Sequence, residues 1–381
     1  MCKNSDLFDI NGVNKLTEEC ISEREAIIMH HAKNPKSIAY ISHSSGKDSQ
    51  ACYELVMKLF PKERIVVIHA ALGTVEHNGV IEHINDTIEH PLEVVRNERK
   101  DFIGMVLLRK MFPSPKYRQC TSDLKTSPIY KFIRAHMTEN GYTHGFNVTG
   151  LRAEESAKRA MKNPLWINKD LTLTSGKRTV FDWMPIFHYS EQDVYQAIKE
   201  SGKNPHPAYG NRHEGGRDGN DRLSCVFCIM SSALDLSRGA AKYVDHYHEM
   251  VALERVVDHT MYGRTKTIHT DRAYSKGDAL GEGTVVTSEK NTSKRAIMPY
   301  KNVIFIKVPL DEKIGAPIDE LLVQRHMKRL KALQVELELV VEKEKQEKAE
   351  KKRKAACVIG SKNKNRDTTT IDFIEMMGAV I

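Results

Sequence analysis

Five short apolar segments alternate with helical patterns through the first half of the chain, and this alternation constrains the fold more than any other feature. The segments are residues 37–42, 64–70, 92–95, 145–149 and 180–184. Between them, apolar residues recur three and four positions apart, which is typical of amphipathic helices. Parallel neighbouring strands need such helical crossovers, and right-handed crossovers cover both faces of a sheet. The sequence therefore predicts an α/β fold with a doubly wound, mostly parallel five-stranded sheet.

The loop that follows the first predicted strand has the composition of a phosphate-binding loop. Small residues and a glycine let the backbone turn, so that amide N–H groups and a helix N-terminus can face an anion at the carboxyl edge of the sheet. Lys47 adds a positive charge, and we expect it to be exposed on the loop. A Walker loop is excluded because the earlier glycine and the Ser or Thr after the lysine are missing. The simpler alternative is a turn with a capping serine. The candidate residues are Ser44, Ser45, Gly46, Lys47, Asp48 and Ser49.

The positive charge of the chain is concentrated near its end. The 381 residues include 58 Lys and Arg and 50 Asp and Glu, a formal net charge of +8. Residues 321–366 contain 14 Lys and Arg and 6 Glu, so the 44 basic and 44 acidic residues elsewhere balance. We expect a long charged helix here that either binds nucleic acid or is simply solvated. Its apolar spacing is compatible with a homodimer or with packing on its own domain.

The apolar runs and the cysteines indicate the compartment. No apolar run approaches the roughly 18 residues of a membrane span, and the first ten residues do not resemble a signal peptide. Seven scattered cysteines do not form a disulfide framework. We therefore expect a cytoplasmic protein with reduced thiols and no membrane partner. Cys225 and Cys228 form a C-x-x-C pair, which by itself is compatible with redox, zinc or iron–sulfur chemistry.

Several motifs, in order along residues 37–230, resemble one known family. The loop Ser44-Ser45-Gly46-Lys47-Asp48-Ser49 resembles the S-G-G-K-D-S pyrophosphate loop of the phosphoadenosine phosphosulfate (PAPS) reductase family. That family belongs to the adenine-nucleotide alpha-hydrolase or ATP pyrophosphatase superfamily, and the resemblance is to its stand-alone bacterial and phage members. The other motifs are residues 69–73, 118–125, 150–156 with Arg159, 185–186 with 193–194, 206–209 and 222–228.

The resemblance implies an adenine nucleotide, ATP or PAPS, with its phosphates on the loop. Lys47, Asp48 and Arg152 would be catalytic, and Gly150 and Arg152 would contact the nucleotide together with the loop residues. Mg²⁺ is a further expected cofactor. Arg152 offers planar donors to phosphate or sulfate oxygens, whereas the alternative role for Arg152 and Arg159 is ion pairing with the neighbouring glutamates.

The resemblance also implies a metal site. Some relatives hold a [4Fe-4S] cluster on cysteines placed like Cys120, Cys225 and Cys228. The three thiolates can equally hold zinc with a histidine such as His206 or His213, or no metal. The mobile C-terminal E-C-G-[IL]-H motif of thiol-dependent PAPS reductases is not matched, because Ala356 precedes and Val358 follows Cys357.

These observations predict an enzyme of sulfur chemistry. It would either adenylate a substrate with release of pyrophosphate before sulfur transfer, or reduce an activated sulfate. The alternative is a non-catalytic, nucleotide-dependent regulator or nucleic-acid-associated protein acting through residues 321–366. We expect a nucleotide-binding domain over residues 1–262, a small β-containing appendage over 263–316 and the charged helix and basic tail over 317–381.

Overall fold

The computed structural model describes residues 18–216, 218–259, 261 and 318–377, and these form an α/β fold around a six-stranded sheet. The strand order is β3-β2-β1-β4-β6-β5, and every neighbouring pair is parallel except β5 and β6. All five predicted strands are confirmed. The antiparallel edge strand β5 was not predicted, because three residues are too few to show an alternating pattern. The strands are β1 (Ser37–Ser42), β2 (Ile65–Ala70), β3 (Leu92–Val95), β4 (His144–Val148), β5 (Leu165–Ile167) and β6 (Thr179–Trp183).

Helices connect the strands and continue after the sheet. A helical turn at Gln119–Thr121 leads into a π-helical segment at Ser122–Thr126, and regular α-helical geometry begins at Ser127. The helices are α1 (Glu18–Lys33), α2 (Lys47–Leu59), α3 (Val80–Thr87), α4 (Phe102–Arg109), α5 (Ser127–Glu139), α6 (Ala157–Ala160), α7 (Glu191–Glu200), α8 (Ala233–Lys242), α9 (Val244–Val257) and α10 (Glu320–Met377).

Alternation along the strands gives the sheet two buried faces. In β1, Ala39 and Ile41 join one apolar cluster with α2, while Ile38 and Tyr40 join a second cluster with α5. Successive side chains of a strand point to opposite faces, and here both faces are covered. Because the sheet is buried on both sides, its carboxyl edge is where an opening can form.

The chain divides into two compact units, Met1–Met327 and Lys328–Ile381. The boundary falls within α10. In the first unit, the Arg255 guanidinium pairs with the Glu320 carboxylate at 2.6 Å, which fixes the start of α10. The predicted β-containing appendage at 263–316 lies outside the described residues. Among the helices of the described part, none has both the length and the apolar character needed to cross a membrane.

Candidate active site

A cavity of about 790 Å³ opens at the carboxyl edge of the sheet, beside the ends of β1, β4 and β6. Its lining includes residues of both segments that the sequence assigned to nucleotide binding, the loop after β1 and the loop after β4. Only Ser45 of the predicted nucleotide-binding residues is not part of the lining. The predicted residues in the wall are Ser44, Gly46, Lys47, Asp48, Ser49, Gly150 and Arg152.

The loop takes an uncommon backbone conformation at Ser45. This residue has φ of 63°, in the left-handed region that favours glycine, and its buried side-chain oxygen has no hydrogen-bond partner among the described residues. Its N–H donates to Nδ1 of His43 at 3.1 Å. Burial, together with His69, His83 and Lys203, lowers the pKa of His43 to about 3, so that this ring stays neutral and can accept the bond.

Ser49 closes the loop from the first turn of α2. Its hydroxyl accepts a hydrogen bond from the Ser44 N–H at 3.2 Å and donates one to the Gly46 carbonyl at 2.8 Å. The hydroxyl therefore ties together the two ends of the turn. This arrangement gives the loop a fixed shape before any ligand binds, which lowers the entropic cost of binding.

Lys47 is buried, contrary to the sequence-based expectation that it is exposed on a loop. Only 3% of its surface is accessible, because Tyr209 folds over the first turn of α2. The Tyr209 hydroxyl accepts the Lys47 N–H at 3.1 Å, and the Lys47 ammonium lies 5.0 Å from the Tyr209 ring centre. The ammonium also lies 3.3 Å from Oε1 of Glu191 and 3.8 Å from Oδ2 of Asp48. The lysine is thus held at the cavity wall as a fixed cation.

Asp48 and Arg152 form an ion pair across the cavity wall. Nε of Arg152 donates to Oδ1 of Asp48 at 2.6 Å, and its Nη1 donates to Oε2 of Glu154 at 2.5 Å. The alternative role given to Arg152, pairing with a neighbouring glutamate, is therefore realised in this state. A phosphate or sulfate group that takes over either of these two bonds has to displace a carboxylate.

Gly150 is needed for packing. A Cβ atom at this position would lie 2.6 Å from the Asp48 carbonyl oxygen and 2.9 Å from the Ser49 nitrogen. The loop after β4 therefore contacts the first turn of α2 directly, backbone against backbone. This close approach places Arg152 beside Asp48.

Four further cationic side chains line the same cavity. Glu155 pairs with Arg159, as the sequence alternative proposed, and it accepts a hydrogen bond from Arg222 at 2.6 Å. Burial, followed by repulsion from Arg222 and Arg118, lowers the pKa of Arg159 to about 10. An anion in the cavity would relieve this repulsion, which makes the wall suitable for phosphate or sulfate. The four cations are Lys125, Arg159, Lys162 and Arg222.

Several cavity residues were not assigned to the site from the sequence. Tyr209 and Arg222 occur in motifs that resemble the family, although neither was given a role. Asp182 interrupts an otherwise apolar strand between Phe181 and Trp183, and this was the signal available for it. No sequence signal indicated a role for Glu191, because acidic residues are common in the first turn of a helix.

Two of the three motif cysteines have raised thiol pKa values. Burial and the neighbouring Cys228 raise the pKa of Cys120, and burial is also the main cause that raises the pKa of Cys225 to about 12. Cys228 contributes to the raised pKa of both Cys120 and Cys225, so the three cysteines lie close together. None of the three forms a disulfide in the described structure, and all three are of intermediate exposure.

A metal-binding group is not formed by these side chains. Within the described ranges, no three or more His, Cys, Asp and Glu side chains are arranged to hold a metal ion. His206 accepts the Ala208 N–H at Nδ1 and stacks edge-on with His83 at 5.1 Å, while His213 lies 3.6 Å from Glu214. The [4Fe-4S], zinc and Mg²⁺ assignments stay predictions.

Comparison with known proteins connects this site to a family. Residues 38–230 match the model of the phosphoadenosine phosphosulfate reductase domain. An uncharacterized 37.8 kDa protein in the gpa 5′ region of Escherichia phage 186 is 24% identical over 228 residues, which are 60% of this chain and 64% of the phage protein. The crystal structure of phosphoadenylyl-sulfate (PAPS) reductase from Candida auris, as a phosphate complex, is 12% identical, with a TM-score of 0.32 over 56% of this chain and 98% of that one.

Proposed function

Because this chain belongs to the phosphoadenosine phosphosulfate reductase domain family over residues 38–230, we propose that it is an enzyme that binds ATP or PAPS in the cavity at the carboxyl edge of its sheet. The nucleotide's phosphates lie on the Ser44–Ser49 loop. The observation that carries this proposal is the convergence of a preformed loop and several cations on one cavity of about 790 Å³. Backbone amides and cations together are what a polyphosphate requires.

Of the two reactions, adenylation is the one that requires no thiolate of this chain. Attack on an activated sulfate needs a nucleophilic thiolate. The raised pKa values of Cys120 and Cys225 keep both thiols protonated near pH 7, and the side chain of Cys357 lies outside the described residues. Adenylation needs no protein thiolate, because an oxygen of the acceptor attacks the α-phosphorus of ATP and pyrophosphate leaves. A sulfur nucleophile can then displace AMP from the adenylated acceptor.

Three charged residues, Lys47, Asp48 and Arg152, have separate roles in this reaction. Lys47 lies at the start of α2, where it neutralises the departing pyrophosphate together with the helix N-terminus. Arg152 exchanges a carboxylate partner for a phosphate oxygen when the nucleotide enters. Asp48 then becomes available to hold Mg²⁺ or to orient Lys47, and the Asp48–Lys47 distance of 3.8 Å supports the second role.

The test is substitution of Lys47 with a control in the same helix. Lys47→Ala should lower nucleotide-dependent turnover at least about 100-fold, in line with the loss of one preorganised donor to developing charge. Lys58→Ala, on the exposed face of α2, should leave turnover unchanged. ATP and PAPS affinities are measured by calorimetry, and pyrophosphate and sulfite release identify the reaction.

Circular dichroism and thermal unfolding serve as fold controls, since Lys47 is buried. Lys47→Met keeps the aliphatic stem over Tyr209 and removes only the charge, so it remains informative if the alanine variant unfolds. Unchanged affinity and turnover in Lys47→Met would refute the assignment of the phosphate loop. Sulfite without pyrophosphate would identify the reductive reaction.

The second candidate function is the non-catalytic, nucleic-acid-associated one. The favouring observation is that α10 exposes its charged residues, since no side chain between residues 331 and 353 is buried. Binding to DNA or RNA through phosphate contacts should weaken steeply with salt. Replacing the four basic residues 351–354 with glutamine should reduce that salt dependence while turnover is retained. Binding to nucleic acid without any turnover of ATP or PAPS would favour this function over the enzyme.

A further inference from the structure

A second cavity, of about 500 Å³, is lined by residues on either side of Tyr209. Tyr209 itself lines the cavity at the carboxyl edge of the sheet, the first cavity, whereas Ala208 and Gly210 line the second one. No described residue lines both cavities. Small-molecule sites commonly enclose about 300–1,000 Å³, so the second cavity has the size of a ligand site that the proposed function does not use.

One wall of the second cavity consists of two chain segments in direct contact. The Asn220 N–H donates to the Ala208 carbonyl oxygen at 2.8 Å. A Cβ atom on Gly219 would overlap the Tyr209 carbonyl oxygen, so the two backbones approach as closely as glycine allows. This wall is therefore held by the backbone and keeps its shape without a ligand.

Another wall is the last turn of α8 with Tyr243, the residue that follows it. The Tyr243 hydroxyl accepts the Asn78 N–H at 3.2 Å and lies 3.3 Å from Nδ1 of His77, so the ring has a fixed position. Aliphatic side chains complete the apolar part of the lining, and they are Pro207, Ala208 and Ala241. Such a surface suits a compact apolar body.

Lys242 supplies a cation to this cavity. Its ammonium lies 5.6 Å from the centre of the Tyr243 ring, and it forms no ion pair with a carboxylate in the part of the chain that the structure describes. Burial, followed by Lys242 and His246, lowers the pKa of His77 to about 4, so the ring beside Lys242 is neutral at pH 7. An anion that enters the cavity therefore meets an ammonium group whose charge is not already neutralised.

Arg238 and Asp218 add one charge of each sign. Nη1 of Arg238 donates to the Gly219 carbonyl oxygen, which fixes the guanidinium against the wall. Oδ1 of Asp218 accepts the Asn211 N–H at 2.8 Å, so this exposed carboxylate already bonds the backbone. With Lys242, the charged side chains of the described lining are two cations and one anion, a formal charge of +1. The lining therefore favours an anion of low charge.

Asn220 is the residue that points most directly to a ligand. Only 7% of its surface is accessible, and its side-chain amide makes no hydrogen bond to another described residue. Burial of an amide without a partner is unfavourable. A ligand oxygen in the cavity that Asn220 lines would supply the missing acceptor.

We propose that the second cavity binds a small organic anion, which has a compact apolar body and one carboxylate or phosphate group. The acid oxygens pair with Lys242 and accept from the Asn220 amide, and the apolar body packs on Tyr243 and Ala241. This site is separate from the nucleotide site and does not depend on the proposed function.

The first experiment uses two probes that share a benzene ring, phenyl phosphate and benzoate. Each is titrated by calorimetry or saturation-transfer NMR with a non-hydrolysable ATP analogue in excess, so that the first cavity is occupied. At least one probe should bind, and the tighter one identifies the acid group. Lys242→Gln should weaken that probe at least about tenfold, the loss expected of a charge-assisted hydrogen bond. Inorganic phosphate, which lacks the apolar body, should bind more weakly than phenyl phosphate.

The matched control is Lys199→Gln. Lys199 and Lys242 each lie in the last turn of a helix of 10 residues, and Lys199 lines neither cavity. The Lys199→Gln protein should bind the probe as the wild-type protein does. An equal loss in the two variants would show a general effect of surface charge and would overturn the proposal, as would the absence of binding by both probes.

Asn220→Ala separates recognition from structure. The amide has no bond within the described residues to lose, so the thermal unfolding temperature should not fall, whereas the affinity for the probe should decrease severalfold. A purely structural role predicts the reverse, a lower unfolding temperature with unchanged probe affinity, and that result would overturn the proposal. The exposed Lys242→Gln variant remains informative if the alanine variant does not fold.

Competition distinguishes this site from the nucleotide site. A probe that the ATP analogue displaces from the wild-type protein lies in the first cavity, and this result would overturn the proposal. Absence of ATP and PAPS binding, with probe binding that still depends on Lys242, would refute the proposed function and leave the second site in place.

Discussion

The phosphate loop and the cysteines contrast in how far each is assembled. We call residues 43–49 with 150–152 the loop region, and Cys120, Cys225 and Cys228 the cysteine region. The loop region is fixed by bonds such as that from Arg152 to Asp48 at 2.6 Å. In the cysteine region the pKa values of Cys120 and Cys225 are raised, and no metal-binding group is formed within the described residues. The loop region is therefore assembled by side-chain bonds between its two segments, whereas the cysteine region is not assembled as a metal site.

Acid should destabilise the folded protein through buried histidines, one of which lies in the loop region. Burial is the leading cause that lowers the pKa of His43 to about 3 and the pKa values of His77 and His206 to about 4. Unfolded histidines bind protons near pH 6.5, so the unfolded state binds more protons as pH falls from 6.5 to 4. The free energy of unfolding should therefore decrease on the order of 5 kcal/mol across this window.

Urea unfolding at several pH values measures this dependence. His43→Asn keeps an acceptor for the Ser45 N–H but removes one titrating ring, so its curve should fall less steeply than that of the wild-type protein. Carboxylates contribute equally to the pH dependence of both proteins, so their contribution cancels in the difference between the two unfolding free energies. Superimposable curves would contradict the burial of a neutral His43 beside the loop.

Gly150→Ala tests the close contact inside the loop region. The new methyl group would lie 2.6 Å from the Asp48 carbonyl oxygen, and backbone on both sides prevents an easy shift. We expect a loss of about 3 kcal/mol in the free energy of unfolding, together with weaker nucleotide binding. The matched variant is Gly145→Ala, whose methyl would meet the Met137 sulfur at 3.0 Å. That flexible side chain can move, so a cost similar to that of Gly150→Ala would argue against the contact.

The cysteine region is tested by its reactivity. A thiol with a pKa of about 12 has very little thiolate at pH 7, so Cys225 should react with iodoacetamide at least about tenfold more slowly than a thiol of ordinary pKa. The rate should rise steadily up to pH 9, as mass spectrometry of the alkylated peptide would show.

Metal analysis sharpens the same comparison. Iron, sulfide and zinc are measured in anaerobically purified protein and in its Cys228→Ser variant, with nucleotide affinity as the control. Metal that is present in the wild-type protein and lost in the variant, with nucleotide affinity unchanged, would show that the cysteine region closes around an ion. Fast alkylation of Cys225 in metal-free protein would contradict its raised pKa.

Ser45→Gly should strengthen the loop region slightly. A non-glycine residue at φ of 63° costs roughly 1–2 kcal/mol, and the substitution also removes a buried hydroxyl that has no partner in the described structure. Glycine loses more chain entropy on folding, which offsets part of the gain. We expect a net stabilisation of about 1 kcal/mol by thermal unfolding. Destabilisation would indicate that the Ser45 hydroxyl has a role in the folded protein.

The sequence by itself determined the parts of this protein that depend on local pattern. Apolar periodicity gave all five predicted strands, and the loop from Ser44 to Ser49 was placed at the correct strand–helix junction. Alternation and turn composition act over a few residues, so they can be read without knowing which segments are neighbours.

Only the tertiary structure decided the contacts between distant segments. Tyr209 covers Lys47 from 162 positions away, and Asn147 meets Asp182 because β4 and β6 are neighbours in the sheet. The antiparallel edge strand β5 depends in the same way on β6, since three residues carry too little pattern of their own. Burial and pairing of polar groups follow from which elements pack together, and that is a property of the whole fold.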